Sequence, residues 1–399
     1  MRYGRGHVRG ADAGNRTGRP GSAHPQTSLR PGPAPGHGRQ NAPAHSGAGP
    51  GPDRSARRLP VPAPLRLLRG GLCDRAATAE RRSALPQPPV IQVDGVGKTF
   101  KAGLLRSHVT TAVRDVSLRI EPGKTLAVVG ESGCGKTTLA RLVAGLLRPD
   151  AGAVMFAGQT ITAWPRKQLR RRLQMIFQDA DGSLNPNLTA EELLLEPMRL
   201  HGSSRVQSRE RLPEMLDMVG LTPDLLPRHP HEMSGGQRQR IGLARAMSLE
   251  PELVIADEPV ASLDRSVQAQ ILSQLNEFQK RDGVAYLYIS HDLATVRALA
   301  DEVAVMLGGV FVETGPAEDV FRNPAHPYTR LLLDAVDEGI HAGARASGLE
   351  NQAAANQAAA NRGCPLASVC PLASANCTNA LPSLVGFEPN RAVRCERVC

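Results

Sequence analysis

Short apolar runs alternate with segments of helical periodicity along most of this chain, and this pattern predicts strands that alternate with helices. The predicted strands are Val90–Val93, Thr111–Ile120, Thr125–Val129, Leu173–Gln178, Leu253–Ala256 and Ala285–Ser290, with a closing hairpin of Val303–Leu307 and Val310–Glu313. The predicted helices are Leu139–Leu146, Glu191–Met198, Arg209–Val219 and Arg238–Met247. Strands and helices in this order favour an α/β fold with a mainly parallel sheet.

The first 89 residues differ from the rest of the chain in composition. They hold 15 Arg, no Lys and 4 acidic residues, which gives this segment a net charge of +11. Since the whole chain has a net charge of +10, the remaining residues have a net charge of −1. Their 14 Gly and 14 Pro predict an unfolded leader. A start site read too far upstream and a functional basic tail both stay open. Because the basic charge belongs to the leader, the folded part gives no reason to expect a nucleic-acid partner.

The chain contains no run of about 18 apolar residues, so we expect no helix that spans a membrane by itself. No apolar signal segment is present near the N-terminus, which favours the cytosol. The repeat Asn351–Ala360 is typical of a linker. Five of the seven cysteines follow Gly363, and a disulfide scaffold is not expected in that compartment.

The segment that follows the strand Thr125–Val129 fits G-x-x-x-x-G-K-[ST], the phosphate-binding loop. Its residues are Gly130, Glu131, Ser132, Gly133, Cys134, Gly135, Lys136, Thr137 and Thr138. Glycines let such a loop turn its N–H groups toward an anion, the lysine reaches the outer phosphates, and the threonine hydroxyl binds Mg²⁺. A chance glycine-rich turn is the alternative, and the flanking strand and helix count against it. A helix N-terminus can lower the pKa of a thiol such as Cys134, but a small filler residue without chemistry is the favoured interpretation.

Polar side chains follow three further predicted strands. Asp257 and Glu258 end one apolar strand, where the aspartate can hold Mg²⁺ and the glutamate can deprotonate water. Gln178 and His291 end two others. A pair of solvated charges, a loop glutamine and a structural histidine are the alternatives. Together with the phosphate loop, these residues predict a nucleotide-hydrolysing site.

A second anion-binding segment consists of Ser234, Gly235, Gly236 and Gln237, which precede a predicted helix. Ser is a favourable N-cap, and the helix N-terminus presents free N–H groups. One nucleotide needs only one phosphate cradle, so this segment raises the question of whose phosphate it binds.

In this order, the motifs GESGCGKTT, Gln178, MSGGQ, LVIADE, ASLD and His291 resemble those of the ATP-binding subunits of ABC transporters. The resemblance implies an ABC-type ATPase fold with an antiparallel β subdomain and a helical subdomain. It also implies a head-to-tail dimer that holds ATP between the phosphate loop of one subunit and the SGGQ segment of the other. By the resemblance, Thr137, Gln178 and Asp257 serve Mg²⁺, and Glu258 is the general base. His291 then senses the γ-phosphate, Asp264 communicates across the dimer, and Phe100 stacks on adenine.

The segments QMIFQDADGSLNPNLT, HPHEMSGGQRQR and NPAHPYTRLLLDAV are similar to those of oligopeptide, dipeptide, nickel and glutathione importer ATPases. QMIFQD is closer to the second ATPase of the usual pair. The resemblance implies two membrane permeases, a sister ATPase subunit and an extracellular solute-binding protein as partners. It places the chain at the cytoplasmic face of the membrane. A soluble ABC-type ATPase that transports nothing is the rival interpretation.

The resulting domain prediction is a leader over 1–89, an ABC ATPase domain over 90–322 and a C-terminal extension over 323–399. The extension ends in the regularly spaced Cys364, Cys370, Cys377 and Cys395, and four thiolates can hold zinc or an iron–sulfur cluster. No C-x-x-C is present, which disfavours a zinc ribbon. Some related importer ATPases bind an iron–sulfur cluster at similar cysteines, so the resemblance favours a cluster. Reduced thiols without a metal stay open.

Overall fold

A computed structural model describes residues 88–102, 108–178, 182–261, 263–337 and 363–398. The predicted leader up to residue 87, the predicted linker Asn351–Ala360 and Cys399 lie outside the described residues. Within the described ranges, none of the helices has the length and apolar character needed to cross a bilayer.

The strands and helices are numbered in chain order. The strands are β1 (Ile91–Ala102), β2 (His108–Ile120), β3 (Thr125–Val129), β4 (Ala151–Phe156), β5 (Gln159–Thr160), β6 (Leu173–Ile176), β7 (Leu253–Asp257), β8 (Ala285–Ser290), β9 (Glu302–Leu307), β10 (Val310–Pro316), β11 (Val385–Glu388) and β12 (Arg391–Val393). The helices are α1 (Lys136–Val143), α2 (Arg166–Arg172), α3 (Ala190–Leu200), α4 (Arg205–Glu210), α5 (Leu212–Met218), α6 (Gly235–Met247), α7 (Arg265–Asp282), α8 (Leu293–Leu299), α9 (Ala317–Arg322), α10 (Pro327–Asp337) and α11 (Ala375–Asn379).

The strands form two sheets. The larger has eight strands in the order β11-β12-β10-β9-β3-β8-β7-β6, of which the five from β9 to β6 run parallel. The smaller is antiparallel, in the order β2-β1-β4-β5. The predicted α/β fold and its antiparallel subdomain are therefore present. The sequence pattern did not predict β4 or β5, because a glycine interrupts β4 and both residues of β5 are exposed.

The central strands are buried on both faces, and their side chains alternate between two apolar cores. On β8, Tyr286 and Tyr288 face the core packed against α3, α5 and α6, whereas Leu287 and Ile289 face the core shared with α1 and the smaller sheet. This two-sided burial explains the continuous apolar runs in the sequence, which parallel strands between two layers require.

The segment predicted as one helix over Arg209–Val219 instead contains the end of α4 and all of α5, which meet at Arg211. Pro213 lies in the first turn of α5. Its missing N–H has no helical carbonyl to bind there, so proline is tolerated at a helix start but not in a helix interior. The apolar periodicity continues across the break, which is why the pattern predicted a single helix.

The β9–β10 hairpin is confirmed, but the prediction that it closes the sheet is wrong. β12 pairs with β10, and β11 pairs with β12, so the C-terminal tail adds two strands to the larger sheet. Arg391 of β12 forms a buried ion pair with Glu313 of β10 at 3.0 Å, and both side chains are at most 3% exposed. β12 has only three residues, which are too few to show a strand period in the sequence.

Candidate functional site

Four parallel strands carry the candidate residues to one edge of the larger sheet. The phosphate loop leaves β3 after Val129, Gln178 follows β6, Asp257 ends β7, and His291 follows β8. Because parallel strands end at the same edge, side chains far apart in the sequence meet there. This is the arrangement that the sequence analysis expected.

Close backbone contacts require glycine at two positions of the loop. A Cβ atom at Gly130 would lie 2.2 Å from the carbonyl oxygen of Met306, and one at Gly135 would lie 2.2 Å from that of Ala112. Both glycines also have positive φ angles, +153° and +113°. α1 begins at the next residue, Lys136, and its first N–H groups have no helical acceptor. The loop and helix start therefore offer N–H groups to an anion.

The Lys136 ammonium lies inside the loop. It is buried, and its Nζ donates to the carbonyl oxygens of Gly130 and Glu131, each at 2.7 Å. These two carbonyls hold the positive charge where the phosphates of a nucleotide would enter. A phosphate can replace neutral carbonyls as the partner because charge-assisted hydrogen bonds are stronger.

Asp257 supplies a buried carboxylate beside the loop. It is 2% exposed, and burial raises its pKa above the ordinary aspartate value, while a hydrogen bond from the Thr137 hydroxyl acts in the opposite direction. Its Oδ1 has no hydrogen-bond partner within the described chain. A buried carboxylate oxygen without a partner is unfavourable, and a cation would relieve this. Asp257 and Thr137 therefore fit a Mg²⁺ site.

Glu258 lies between two polar side chains at the same edge. Gln178 Nε2 donates to its Oε2 at 2.9 Å, and His291 Nδ1 lies 3.0 Å from its Oε1. The Glu258 side chain is 11% exposed, and its backbone has a positive φ of 51°. Because of this backbone turn, the Glu258 side chain has contacts different from those of Asp257, although the two residues are adjacent in sequence.

The predicted N-cap of α6 is confirmed. Ser234 Oγ accepts the N–H of Gln237 at 3.2 Å, and Gln237 Oε1 accepts the N–H of Ser234 at 2.9 Å, which is a capping box. The N–H groups of Gly235 and Gly236 belong to the first turn of α6 and have no helical acceptor. This helix start is a second candidate anion site, built from a different part of the chain than the phosphate loop.

Two other predicted residues have local structural contacts. Asp264 is the N-cap of α7, and its Oδ1 accepts the N–H of Val267 at 3.0 Å. Hydrogen bonds from the Ser266 hydroxyl and from Val267 lower the Asp264 pKa. Phe100 lies on β1 with its side chain exposed, and the Lys98 ammonium is 5.8 Å from its ring centroid. An exposed ring of this kind is free to stack on a base.

Burial outweighs the lowering of the thiol pKa that a helix start could give Cys134. Cys134 is 8% exposed, and burial raises the pKa of its thiol despite the nearby Lys136 ammonium. Desolvation of the thiolate therefore outweighs the effect of the helix N-terminus. At neutral pH we expect Cys134 to be a protonated and slowly reacting thiol.

The tail cysteines lie in one neighbourhood but do not form a metal site. Burial, with smaller contributions from charge on Cys377, Cys370 and Cys395, raises the pKa of Cys364 to about 11. The Cys364 N–H donates to the Cys377 carbonyl at 2.7 Å. Over the described ranges, no three His, Cys, Asp or Glu side chains are grouped so that they could hold a metal ion. The four thiols do not fit a cluster as they are arranged here.

Comparison with known proteins decides between the transporter interpretation and its rival. The ABC transporter family model matches residues 113–261, and the model of the oligopeptide/dipeptide transporter C-terminal region matches residues 312–377. A di/tripeptide transport ATP-binding protein of Pseudomonas aeruginosa is 44% identical over 288 residues, which cover 71% of this chain and 89% of that protein. This chain belongs to the ATP-binding subunits of ABC transporters.

A further relative and a solved structure are also similar to this chain, which we call the ABC ATPase below. An oligopeptide transport ATP-binding protein of Bacillus subtilis is 39% identical over 324 residues, with 78% of this chain and 98% of that protein covered. A solved ATP-binding cassette, a dimer in a post-hydrolysis state bound to ADP and Pi, is 26% identical with a TM-score of 0.53. It covers 57% of this chain and 98% of its own. The ABC ATPase uses ATP and Mg²⁺, and its hydrolysis of ATP powers transport.

One residue that touches the phosphate loop was missed by the sequence analysis. The segment His326–Arg330 served only as a mark of the importer group. In the structure, the Tyr328 hydroxyl accepts the N–H of Glu131 at 3.2 Å. The pattern could not reveal this contact because the two residues are 197 positions apart.

Proposed function

We propose that the ABC ATPase powers the import of dipeptides and oligopeptides through two membrane permease subunits, at the cytoplasmic face of the inner membrane. The observation that carries the substrate class is the match of residues 312–377 to the oligopeptide/dipeptide transporter C-terminal region. The names of the relatives support the same class. Import of nickel or another small solute is the alternative, since an extracellular solute-binding protein and the permeases select the cargo.

For hydrolysis, we assign Glu258 as the general base that accepts a proton from the attacking water. Lys136 and the loop N–H groups bind the phosphates of ATP, and the water attacks the γ-phosphorus in line as ADP leaves. Thr137, Gln178 and Asp257 would hold Mg²⁺, which neutralises charge on the phosphates when it is bound. The unpartnered Asp257 oxygen and its Thr137 neighbour support this ligand set.

The Glu258 carboxylate contacts two polar side chains in the structure. Both of its carboxylate oxygens already have a partner, Gln178 for one and His291 for the other. Each carboxylate oxygen offers about two acceptor positions, so the attacking water can still donate to Glu258 while these contacts are in place. His291 is exposed, with 57% of its side chain accessible. We assign it to the γ-phosphate, so that bound ATP draws it away from Glu258.

A head-to-tail dimer would give the second anion site a nucleotide to bind. In the proposed head-to-tail arrangement, Ser234, Gly235, Gly236 and Gln237 of one subunit close over the nucleotide held by the phosphate loop of the other, and Asp264 lies at the contact between them. The capped helix start with its free N–H groups supports this role. A sister ATPase subunit is the proposed partner, with a second copy of this chain as the alternative.

A cleft near Gln178, with both apolar and polar lining residues, suits a permease segment. Leu146, Phe177, Leu200 and Leu249 are among its lining residues, between β6, α3 and α6. Phe177 is 37% exposed and Leu200 is 64% exposed, which is unfavourable for large apolar side chains in water. A permease segment that fills this cleft would contact the strand end that carries Gln178. Opening and closing of the dimer would then be coupled to the membrane subunits.

The test of this function is reconstitution. The full chain is combined in liposomes with candidate permeases, a candidate sister ATPase and the solute-binding protein, and ATP hydrolysis is measured with and without cargo. We expect a dipeptide or oligopeptide to stimulate hydrolysis and to accumulate inside the vesicles. Stimulation by nickel alone would instead support the alternative cargo. Failure of the chain to associate with any permease would contradict the transport role itself.

For the tail, we propose that Cys364, Cys370, Cys377 and Cys395 ligate an iron–sulfur cluster after a local rearrangement. The support is their shared neighbourhood, since nearby thiols that raise one another's pKa become favourable ligands once a positive centre is present. Iron and acid-labile sulfide are measured in protein purified without oxygen. We expect both in the wild type and neither in a Cys377→Ala variant. Zinc without sulfide, or no metal, would rule the cluster out.

A further inference from the structure

Tyr328 connects the C-terminal region to the phosphate loop. Its side chain is 1% exposed, and its hydroxyl accepts the N–H of Glu131 at 3.2 Å and also hydrogen-bonds to the Glu131 side chain. The carbonyl of the same Glu131 accepts Lys136 Nζ at 2.7 Å and the N–H of Cys134 at 3.3 Å. The residue that Tyr328 holds is therefore also one that holds the phosphate-binding lysine.

A buried network holds the turn that begins α10 and carries Tyr328. The Tyr328 N–H donates to His326 Nδ1 at 3.1 Å, and burial lowers the pKa of His326 to about 4, so the ring is a neutral acceptor at physiological pH. The carboxylate of Glu313 accepts the N–H groups of Ala325 and His326, each at 2.9 Å. This turn is thus tied directly to β10.

The C-terminal tail completes this network. Arg391 of β12 pairs with Glu313 at 3.0 Å and also donates to the Asn323 carbonyl at 2.7 Å. Removal of one partner from a buried ion pair strongly destabilises a protein, because the other charge is left buried without a partner. These contacts therefore hold the turn firmly in place. An unbroken series of contacts runs from the tail strand through Glu313 and His326 to Tyr328.

We propose that Tyr328 is a positioning residue for nucleotide binding, which holds the Glu131 peptide so that the loop is formed before ATP arrives. A loop that is already ordered loses less conformational freedom on binding, and this appears as higher affinity. Tyr328 does not touch the reacting atoms. Its loss should therefore weaken nucleotide binding and leave the rate of the bound complex unchanged.

The test is a Tyr328→Phe variant of the full chain. ADP affinity is measured by calorimetry, and KM and kcat for ATP are measured in steady state. We expect the Kd of ADP and the KM of ATP to rise together by roughly 5- to 30-fold, the effect of one to two kcal/mol for a buried donor that loses its acceptor. We expect kcat to be unchanged. A wild-type Kd and KM, or a loss confined to kcat, would overturn the proposal.

The matched control is Tyr286→Phe. Tyr286 is also fully buried, but its hydroxyl has no hydrogen-bond partner within the described chain. Its removal should leave Kd, KM and kcat unchanged. If Tyr286→Phe weakens ADP binding as much as Tyr328→Phe does, the effect belongs to core packing and the proposal is wrong.

A second pair of variants tests the same role without altering Tyr328. His326→Ala removes the acceptor of the Tyr328 N–H, whereas His326→Asn keeps a side-chain acceptor that can reach the N–H two residues on. We expect the alanine variant to bind ADP more weakly and the asparagine variant to recover most of the wild-type affinity. Equal ADP affinity in the two variants would contradict positioning through this turn.

Discussion

Replacement of Glu258 by glutamine is expected to lower the turnover of ATP by about 10²- to 10⁴-fold, the usual contribution of a general base. Glutamine has nearly the same shape and keeps one oxygen that can accept from Gln178 or His291. It cannot take a proton from water at neutral pH. ATP should therefore still bind, and the ATP-bound dimer should accumulate instead of turning over.

The measurement is steady-state ATP hydrolysis by the full chain, alone and mixed with a candidate sister subunit, together with the dimer fraction in the presence of ATP and Mg²⁺. Glu318→Gln is the control, since Glu318 is an exposed carboxylate whose side chain is 75% accessible. Wild-type turnover in the Glu258→Gln variant would show that another group accepts the proton. A gain in turnover on mixing would identify the heterodimer.

The second large effect is expected for Asp257→Asn, which should strongly lower the turnover of ATP and raise the stability of the folded protein. Loss of a carboxylate ligand weakens Mg²⁺ binding, and the metal supplies several kcal/mol of charge stabilisation, so turnover should fall by about a hundredfold or more. The nucleotide-free protein should nevertheless unfold at a higher temperature. This is because asparagine removes the buried negative charge of Asp257, whose desolvation the hydrogen bond from Thr137 offsets only in part.

The sign of the stability change follows from the raised pKa of Asp257. A folded-state pKa above the unfolded value means that the native state binds the proton more tightly, so the ionised carboxylate destabilises the native state at higher pH. The gain from Asp257→Asn should be present at neutral pH and should fade as the pH drops through the folded-state pKa. For a folded part of this size, each kcal/mol of added stability raises Tm by about 2 to 4 °C.

Thermal unfolding without nucleotide at several pH values, combined with ATP hydrolysis at saturating Mg²⁺, tests both halves of this prediction. Asp217→Asn is the control, because Asp217 is an exposed residue of α5. A lower Tm for Asp257→Asn at neutral pH would mean that the carboxylate stabilises the free protein. Wild-type hydrolysis would remove Asp257 from the metal site.

Local patterns were sufficient for most of the catalytic edge. The glycine spacing, the apolar run before Asp257 and the serine before Gly235 each act within a few residues, so the strand–loop–helix around the glycine-rich segment, the strand that ends at Asp257 and the α6 cap could be predicted. The parallel sheet then brings those strand ends together, because all parallel strands present their carboxyl ends at one edge. The break between α4 and α5 went unrecognised because the apolar periodicity continues through Pro213, and the pattern also missed β4, β5 and the helix α7.

The tertiary structure decided the properties that depend on contacts between distant residues or on burial. Cys134 has a raised pKa because the fold buries it, although its position at a helix start suggested the opposite. β12 has only three residues, too few to show a strand period, and its place in the sheet depends on pairing with β10 and on the buried Arg391. The hydrogen bond between Tyr328 and Glu131 spans 197 positions. Periodicity and spacing carry information over one turn or one strand, whereas desolvation and long-range pairing arise only when the whole chain is packed.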